Sequence, residues 1–412
     1  MADDQIFSLK GKSLKLDNAN DISPHIIPLQ NTNDIREIHL EGNTLGPAAC
    51  IELAPYIAAQ KGLRVANLAD IFTGRLLSEI PTALDSLLQV LLTLPELHTV
   101  NLSDNAFGLN TVAPLESFLE RSSPLKHLYL NNNGLGPEAG ARVAKALAKL
   151  AEKKKQDRAP DLETIICGRN RLESGSMEAW AEAFRANNKV TTVKMVQNGI
   201  RKEGIDRLIR KGLSQCNQLK VLDLQDNTFT RFAATALAET LPSSWPQIQE
   251  LGVGDCLLSS AGGRLLASAL AKGKNANIKT LRLQFNELRS EVLALLCDAI
   301  DKVAALQRVE LNGNKFEAEN PLVEKLTLAL KARRKDDADD DDEEWGLDEL
   351  DELEGSDDDD EDESEGEDEA EVESDEEEKI VKEDERNENE PVAQEKDKDV
   401  DALARALEKT EL

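Results

Sequence analysis

Aromatic residues, cysteine pairs and histidine clusters are scarce in this sequence of 412 residues. Phe, Trp and Tyr make up 3% of it, so a core must be built mainly from aliphatic side chains. The five cysteines show no C-x-x-C spacing, which argues against a zinc site or a disulfide framework. No H-E-x-x-H or G-x-S-x-G pattern accompanies the four histidines. The sequence therefore predicts no metal site, no cofactor and no catalytic constellation of its own.

Long apolar runs are also missing. No stretch of 18 apolar residues occurs, so we expect no contact with a membrane interior. The first residues, MADDQIFSLKGK, lack the apolar stretch of a secretory signal peptide. Together with unpaired cysteines, these features predict a soluble protein of a reducing compartment, and we expect a cytoplasmic location.

What the sequence does contain is a repeat. The stretch LKHLYLNNNGLGP at positions 125–137 fits the leucine-rich pattern L-x-x-L-x-L-x-x-N-x-L, in which each unit forms one strand and one helix. Pro137 suits a first helical turn, because its missing N–H would have no partner there. The asparagine of this pattern recurs at Asn43, Asn105, Asn133, Asn170, Asn198, Asn227, Asn286 and Asn314, while Ile71 and Cys256 replace it in two further copies.

These copies predict an α/β fold: a leucine-rich repeat solenoid, or horseshoe, of about eleven repeats with parallel strands inside and helices outside. The stretch SLKLDNANDI, with Leu14 and Leu16, is interpreted as an atypical first strand that caps the stack. We interpret the repeated asparagines as structural, since a buried amide can both donate to and accept from the backbone of the turn. Function must then depend on residues that differ between repeats.

Charge divides the chain into segments. Residues 336–378 contain 30 Asp or Glu and no Lys or Arg, whereas the net charge of the whole chain is −30. The chain is thus predicted to comprise a leucine-rich repeat domain (1–335), a disordered acidic region (336–378) and a mixed-charge tail (379–412). A near-neutral solenoid beside an acidic segment disfavours nucleic-acid binding.

Two longer steps interrupt the repeat. After Ile71 the sequence DIFTGR replaces the usual turn, and we expect Arg75 to be exposed on the rim, where it could pair with a carboxylate or a phosphate. The other insertion, AEKKKQDRAP, contains Lys154 and is expected to be a solvated loop that could also contact an acidic surface.

The stretch DIFTGR, the following EIP segment, LYLNNNGLGPEAG, the eleven repeats and the acidic run together resemble the RanGAP family, the GTPase-activating proteins of the transport GTPase Ran. The resemblance extends over residues 1 to about 345 and is strongest for the fungal form, since the chain ends soon after the acidic run. Leu77 departs from the pattern, because a lysine is expected there in at least one fungal member.

This resemblance implies activation of GTP hydrolysis on GTP-bound Ran, with a Ran-binding protein as a further expected partner, to set the direction of nucleocytoplasmic transport. Ran would supply the nucleotide, the Mg²⁺ and a catalytic glutamine. Arg75 matches the family's essential arginine, which does not act as an arginine finger. An asparagine of the NNNG turn positions the glutamine instead, and by register it is Asn132, with Asn131 as the alternative. The protein itself would be a monomeric activator and not an enzyme.

Further Ran contacts are expected on the same rim, at Asp70, Asp104, Arg169 and Gln197. The main alternative is a non-catalytic binding scaffold or inhibitor of the ribonuclease-inhibitor type, which would use the concave strand face. That face would carry His39, Asn67, Asn101, Tyr129, Ile166, Lys194, Asp223, Gly252, Arg282 and Glu310, which form no stripe of one sign or of aromatics. A third hypothesis, a histone-binding chaperone, assigns function to residues 336–378.

Overall fold

The computed structural model describes residues 5–334 and 345–353. All of these residues belong to one compact unit, Met1–Ser356. The predicted mixed-charge tail (379–412) and the acidic region, apart from residues 345–353, lie outside the described residues.

A parallel sheet forms one side of the described unit. It has 12 strands, and each strand pairs with the strand of the next repeat in parallel register. Its strands in order are β1 (Ile6–Ser8), β3 (Glu37–His39), β5 (Val65–Asn67), β6 (Thr99–Asn101), β7 (His127–Tyr129), β8 (Thr164–Ile166), β9 (Thr192–Lys194), β10 (Val221–Asp223), β11 (Glu250–Gly252), β12 (Thr280–Arg282), β13 (Arg308–Glu310) and β14 (Gly346–Leu347). This stack confirms the predicted leucine-rich repeat solenoid.

Helices connect the strands and pack on their neighbours. They are α1 (Ala19–Ile22), α2 (Ile27–Gln30), α3 (Pro47–Ala59), α4 (Ile80–Leu91), α5 (Gly108–Arg121), α6 (Gly136–Asp157), α7 (Met177–Ala186), α8 (Lys202–Arg207), α9 (Thr230–Ser244), α10 (Ser259–Ala271), α11 (Ser290–Ala299) and α12 (Pro321–Lys331). Short 3₁₀ turns follow at 174–176, 213–215 and 300–302, with a π-helical turn at 208–212. None of the helices in the described part of the chain is long and apolar enough to cross a bilayer.

One continuous, mainly aliphatic core lies between the sheet and the helices. The middle residue of each three-residue strand, such as Leu128 in β7, points into this core, and the flanking residues face outward. Neither an apolar strand face nor an apolar helix face can be buried by one repeat alone, so burial depends on the neighbours. The stack is therefore stabilised as a whole, and each repeat holds the next one in place.

The first strand differs from the sequence prediction. Residues 6–8 form β1, and Phe7 lies beside Ile38 in the main sheet. The segment predicted to be the first strand instead forms β2 (Lys15–Leu16), which pairs with β4 (Thr44–Leu45) in a separate sheet of 2 strands. The prediction was wrong because Phe7 and Leu9 have the same alternate spacing as Leu14 and Leu16, and it is the segment of Phe7 that pairs with β3 in the main sheet.

The repeated asparagines form a buried ladder along the turn that follows each strand. Asn105 donates from Nδ2 to the backbone oxygens of Leu68 and Leu102 at 2.8 and 3.0 Å, and its Oδ1 accepts the N–H of Ile71 at 2.9 Å. Asn133 Oδ1 accepts the N–H of Asn105 in the same way, at 2.8 Å. Each amide thus satisfies backbone groups of two repeats, as the sequence predicted.

Cysteines replace apolar or ladder residues and form no disulfides. All five are buried free thiols. At the ladder position of its repeat, Cys256 Sγ lies 3.5 Å from the backbone oxygen of Leu224 and 3.3 Å from that of Gly254. The thiol therefore points at the same kind of acceptors as an asparagine amide, with weaker hydrogen bonds.

Part of the predicted acidic region packs on the last repeat. Residues 346–347 form β14, which pairs with β13 and extends the sheet by one strand. Asp348 then accepts the N–H groups of Leu311 and Asn312, at 2.7 and 2.9 Å. An acidic side chain is well suited to this position, because it supplies acceptors to backbone donors that have no following repeat.

The predicted basic loop that follows β7 and its repeat is largely helical, since α6 extends to Asp157. Lys154 is buried, and its Nζ donates to the backbone oxygens of Ser123, Leu125 and Pro160. The expectation of a solvated insertion is therefore wrong for Lys154, because three converging carbonyl groups replace water around its ammonium group.

Candidate functional site

A rim of outward-pointing side chains follows the carboxyl ends of the strands. The residue just before each ladder position has a positive φ, for example 63° at Asp104, 52° at Asn132 and 55° at Arg169. Its N–H donates to the backbone of the next repeat: Asp104 to Asn131 O at 2.9 Å, and Asn132 to Gly168 O at 2.9 Å. This left-handed conformation turns one side chain per repeat away from the core.

Asn132 is an exposed amide on this rim. Its Nδ2 donates to Asp104 Oδ1 in the preceding repeat at 2.9 Å. The neighbouring Asn133 is fully buried in the ladder, as the register predicted. Because the carboxylate can only accept, the amide nitrogen of Asn132 points toward Asp104 and its Oδ1 is available to accept a hydrogen bond from a partner.

Asn131, the alternative candidate, is half-buried and already engaged. Its Oδ1 accepts the N–H of Gly168 at 2.6 Å, and its own N–H donates to Ser103 Oγ at 3.1 Å. The side-chain oxygen of Asn131 therefore links two repeats. Of the two asparagines, Asn132 has the geometry of a contact residue.

Arg75 is not the exposed arginine that the sequence predicted. Its side chain is 7% exposed, and its Nη1 lies 2.6 Å from Asp17 Oδ1. Nε donates to Thr44 Oγ1 and Nη2 to Thr44 O, both at 3.0 Å. The guanidinium group therefore points back into the protein, toward the first repeats, and it presents no fork of donors to solvent.

The loop that contains Arg75 is tightly held. Gly74 has φ +77°, with no atom within 4 Å of an ideal Cβ, so the backbone conformation, and not a lack of space, favours glycine there. Thr73 Oγ1 donates to Asp70 Oδ1 at 2.5 Å. The ring of Phe72 is buried and lies 6.4 Å from the ring of Phe107. These contacts fix the part of the loop that precedes Gly74.

Two leucines at the tip of this loop are exposed. Leu76 and Leu77 are 68% and 60% exposed, a large apolar surface beside Arg75. The sequence did not indicate Asp17 and Thr44, which hold Arg75, and it indicated Leu77 only as a departure from the family pattern. The leucines follow Arg75 directly and could have been noted as an apolar pair within a rim loop, but nothing local indicates Asp17.

The predicted rim residues Arg169 and Gln197 are exposed, and Asp70 is half-buried. Beyond them the rim continues to Asp226, where burial first and then the charge of Asp255 raise the pKa of the Asp226 carboxyl, while a hydrogen bond with Gln197 lowers it. The structure thus places Asp70, Asp104, Asn132, Arg169 and Gln197 in consecutive repeats on one surface. Within the described residues, no group of His, Cys, Asp or Glu is arranged to bind a metal.

Fold and rim together define a leucine-rich repeat protein whose distinctive side chains lie on the edge of the sheet. No protein-family model matches the chain. Individual relatives do: it is 40% identical to Ran GTPase-activating protein 1 of Saccharomyces cerevisiae over 332 residues, 79% of this chain and 82% of that protein. The chain belongs to the family of Ran GTPase-activating proteins.

Two other relatives match the chain over a shorter stretch or at lower identity. Ran GTPase-activating protein 1 of Xenopus laevis is 40% identical over 197 residues, which are 47% of this chain and 34% of that protein. The ribonuclease inhibitor of Sus scrofa is 25% identical over 360 residues, 79% of this chain and 75% of that protein. The chain therefore spans about a third of the Xenopus relative.

Proposed function

We propose that this chain is a GTPase-activating protein for Ran that positions the catalytic glutamine of Ran through Asn132. The observation that carries the mechanism is the exposed Asn132 amide, held by Asp104 at 2.9 Å. Ran in its GTP-bound form supplies the nucleotide, the Mg²⁺ and the glutamine. The activator completes this site from outside, so the chain needs no catalytic group that reacts covalently.

The oriented amide suits this role. Because Nδ2 of Asn132 donates a hydrogen bond to Asp104, its Oδ1 faces outward and can accept a hydrogen bond from the side-chain N–H of a glutamine. The glutamine oxygen then remains available to orient the attacking water. Orientation of a reactant can lower a barrier by several kcal/mol, so one hydrogen bond that fixes one amide is sufficient for a large rate effect.

Arg75 supports this mechanism indirectly. An arginine finger must extend its guanidinium group into the partner's nucleotide site, where it stabilises the charge of the transition state. The 7% exposure of Arg75 and its bonds to Asp17 and Thr44 argue against such an extension. Arg75 maintains the shape of the loop that faces Ran. The neighbouring contacts with Ran are made by Asp70, Asp104, Arg169 and Gln197.

The setting follows from the same proposal. The activator works as a monomer in the cytoplasm, where it lowers the level of GTP-bound Ran and so contributes to the direction of nucleocytoplasmic transport. Five buried free cysteines suit a reducing compartment. A Ran-binding protein is the third member of the proposed complex, and neither nucleic acid nor a membrane is needed.

A non-catalytic scaffold or inhibitor is the second candidate, and the solenoid itself favours it because the strand face is a ready binding surface. Such a protein would bind through residues like Tyr129 and Lys194, which flank the core positions of β7 and β9. Charges on this face pair with each other, as in Arg282 with Glu250 and Glu310, both at 3.5 Å. Paired charges of this kind offer little net potential to a partner.

Stimulation of Ran by the full chain tests the proposal. Ran loaded with GTP is mixed with the protein, and hydrolysis is followed over a single turnover, with a small GTPase of another family as the control substrate. We expect a large acceleration for Ran alone. Absence of acceleration, with or without binding to Ran, would end the proposal of GTPase activation and leave the scaffold hypothesis.

A further inference from the structure

The loop that faces Ran is attached to the first repeats by one buried guanidinium group. Three bonds hold Arg75: Nη1 to Asp17 Oδ1 at 2.6 Å, Nε to Thr44 Oγ1 at 3.0 Å and Nη2 to Thr44 O at 3.0 Å. Asp17 is the only acidic group among these partners. The structure therefore gives the positive charge of Arg75 a counterion that lies 58 positions earlier in the chain.

Backbone pairing fixes the position of Asp17. Lys15 and Leu16 form β2, which pairs with Thr44 and Leu45 of β4. The N–H of Gly46 donates to Leu16 O at 2.7 Å and closes the pair next to Asp17. Asp17 and Thr44, the two partners of Arg75, are thus held side by side by the same small sheet.

The backbone at Gly46 lies close to both Asp17 and Arg75. An ideal Cβ at Gly46 would lie 2.6 Å from Asp17 O and 3.2 Å from Arg75 Nη1. The first distance is shorter than real carbon contacts allow, and the atom concerned is backbone oxygen, which cannot move away freely. Glycine at this position therefore makes room for the ion pair.

The carboxylate of Asp17 is itself anchored through its backbone. The N–H groups of Asp17 and Asn18 both donate to Asp21 Oδ2, at 2.9 and 3.0 Å, which is the capping arrangement at the start of α1. Hydrogen bonding from Arg75 lowers the pKa of the Asp17 carboxyl, although burial acts in the opposite direction. The carboxylate is therefore ionised at neutral pH, and the pair is intact there.

We propose that Asp17 is a positioning residue for GTPase activation, because it holds the Arg75 guanidinium and so fixes the exposed end of the loop, Leu76 and Leu77, against Ran. This inference rests on the proposed function. It extends the functional unit to a residue of the first repeat, outside the DIFTGR stretch and the rim.

Loss of the carboxylate leaves an almost buried guanidinium group without a counterion. A charge in that state is strongly disfavoured, so Arg75 turns toward solvent and the loop loses its fixed position. We expect the displaced loop to bind Ran with lower affinity. We expect Asp17→Ala to raise the protein concentration for half-maximal stimulation by roughly 10-fold, since displacements of about 1 Å can have effects of that size or larger.

The test is single-turnover hydrolysis on Ran over a range of concentrations of the full chain. Its variants are Asp17→Ala, Asp17→Asn, Arg75→Ala and the double variant Asp17→Ala with Arg75→Ala. Asp34→Ala is the matched control, because Asp34 also lies in the N-terminal part and pairs with an arginine, Arg36, at 2.9 Å. Thermal unfolding of every variant is measured alongside.

The inference predicts that Asp17→Ala reproduces the defect of Arg75→Ala, that the double variant is no worse than Arg75→Ala alone, and that Asp34→Ala resembles the wild type. Asp17→Asn, which keeps an acceptor but not the charge, gives an intermediate defect and guards against a folding artefact. Wild-type behaviour of Asp17→Ala, or a full second loss in the double variant, overturns the inference. If the wild type itself does not stimulate Ran, the proposed function fails, and the inference fails with it.

Discussion

Asn132 and Asp104, which belong to consecutive repeats, are joined by a hydrogen bond of 2.9 Å between Nδ2 and Oδ1 on the exposed rim. Both residues have a positive φ, and both donate their N–H to the following repeat. The scaffold therefore fixes their backbones, and the hydrogen bond fixes the amide. Orientation of Asn132 depends on an acid that is itself part of the candidate Ran surface.

Removal of that acid should slow the chemical step. In Asp104→Ala the amide of Asn132 can rotate, so we expect the rate at saturating activator to fall about 5-fold, the equivalent of one hydrogen bond of about 1 kcal/mol. Asp255→Ala is the control, since Asp255 occupies the same rim position of a distant repeat with φ 50°. An equal loss in both variants would show that rim charge, and not amide orientation, matters.

The exposed leucines of the Arg75 loop should contribute affinity. Replacement of Leu76 and Leu77 by serine removes apolar surface that a bound partner can bury, and we expect about a 10-fold higher concentration for half-maximal stimulation, with the maximal rate retained. Leu328→Ser is the control, because Leu328 is 59% exposed on α12 near the other end of the solenoid. Unchanged affinity in the double serine variant would place the loop tip outside the Ran contact.

Lys154 should be important for stability and not for activation. Lys154→Met leaves three backbone oxygens without their donor, at Ser123, Leu125 and Pro160, and we expect a loss of about 2–4 kcal/mol in the free energy of unfolding. Urea denaturation measures it. Lys155→Met, which alters the exposed neighbour, should change stability little.

The same lysine predicts a pH dependence. Burial lowers the pKa of Lys154 to about 8, below its ordinary value of 10.5. Between these values the unfolded chain binds more protons at this site than the folded one, so its contribution to stability rises as the pH increases from about 8 to 10.5. The difference between wild type and Lys154→Met, measured by urea denaturation across this range, should show the slope, and a flat difference would contradict it.

The acidic segment after the last repeat should stabilise that end of the sheet. Asp348→Ala removes the acceptor for the N–H groups of Leu311 and Asn312, and we expect a loss of about 1–2 kcal/mol. Hydrogen exchange at these two amides is the direct measurement. Glu349→Ala, at the adjacent exposed position, is the control and should leave both amides protected.

The repeat itself was predictable because its signal is local and recurs. Each ladder asparagine follows its strand at fixed spacing, and the buried position of Asn133 next to exposed Asn132 followed from that register. The first strand was not predictable from the sequence, because a terminal repeat has only one neighbour and a degenerate pattern. Phe7 and Leu14 each begin an alternating pair, and only packing distinguishes them.

The direction of Arg75 was the main feature that the sequence could not reveal. Spacing places the residue beyond the end of a strand, where an exposed side chain is the ordinary expectation. Its actual direction depends on the turn at Gly74 and on Asp17 and Thr44, which come from earlier repeats. Contacts between residues far apart in sequence are decided by the stack and leave no local pattern.

The central claim, that Asn132 acts on the chemical step whereas Arg75 acts through the loop, is tested most directly by the rate of GTP hydrolysis on Ran at saturating activator. The two variants to compare are Asn132→Ala and Arg75→Ala, each titrated to saturation. The account predicts a rate at saturation that is lower by a factor of about 100 or more for Asn132→Ala. Arg75→Ala should approach the wild-type rate once its weaker binding is overcome. A full rate for saturating Asn132→Ala would contradict the account.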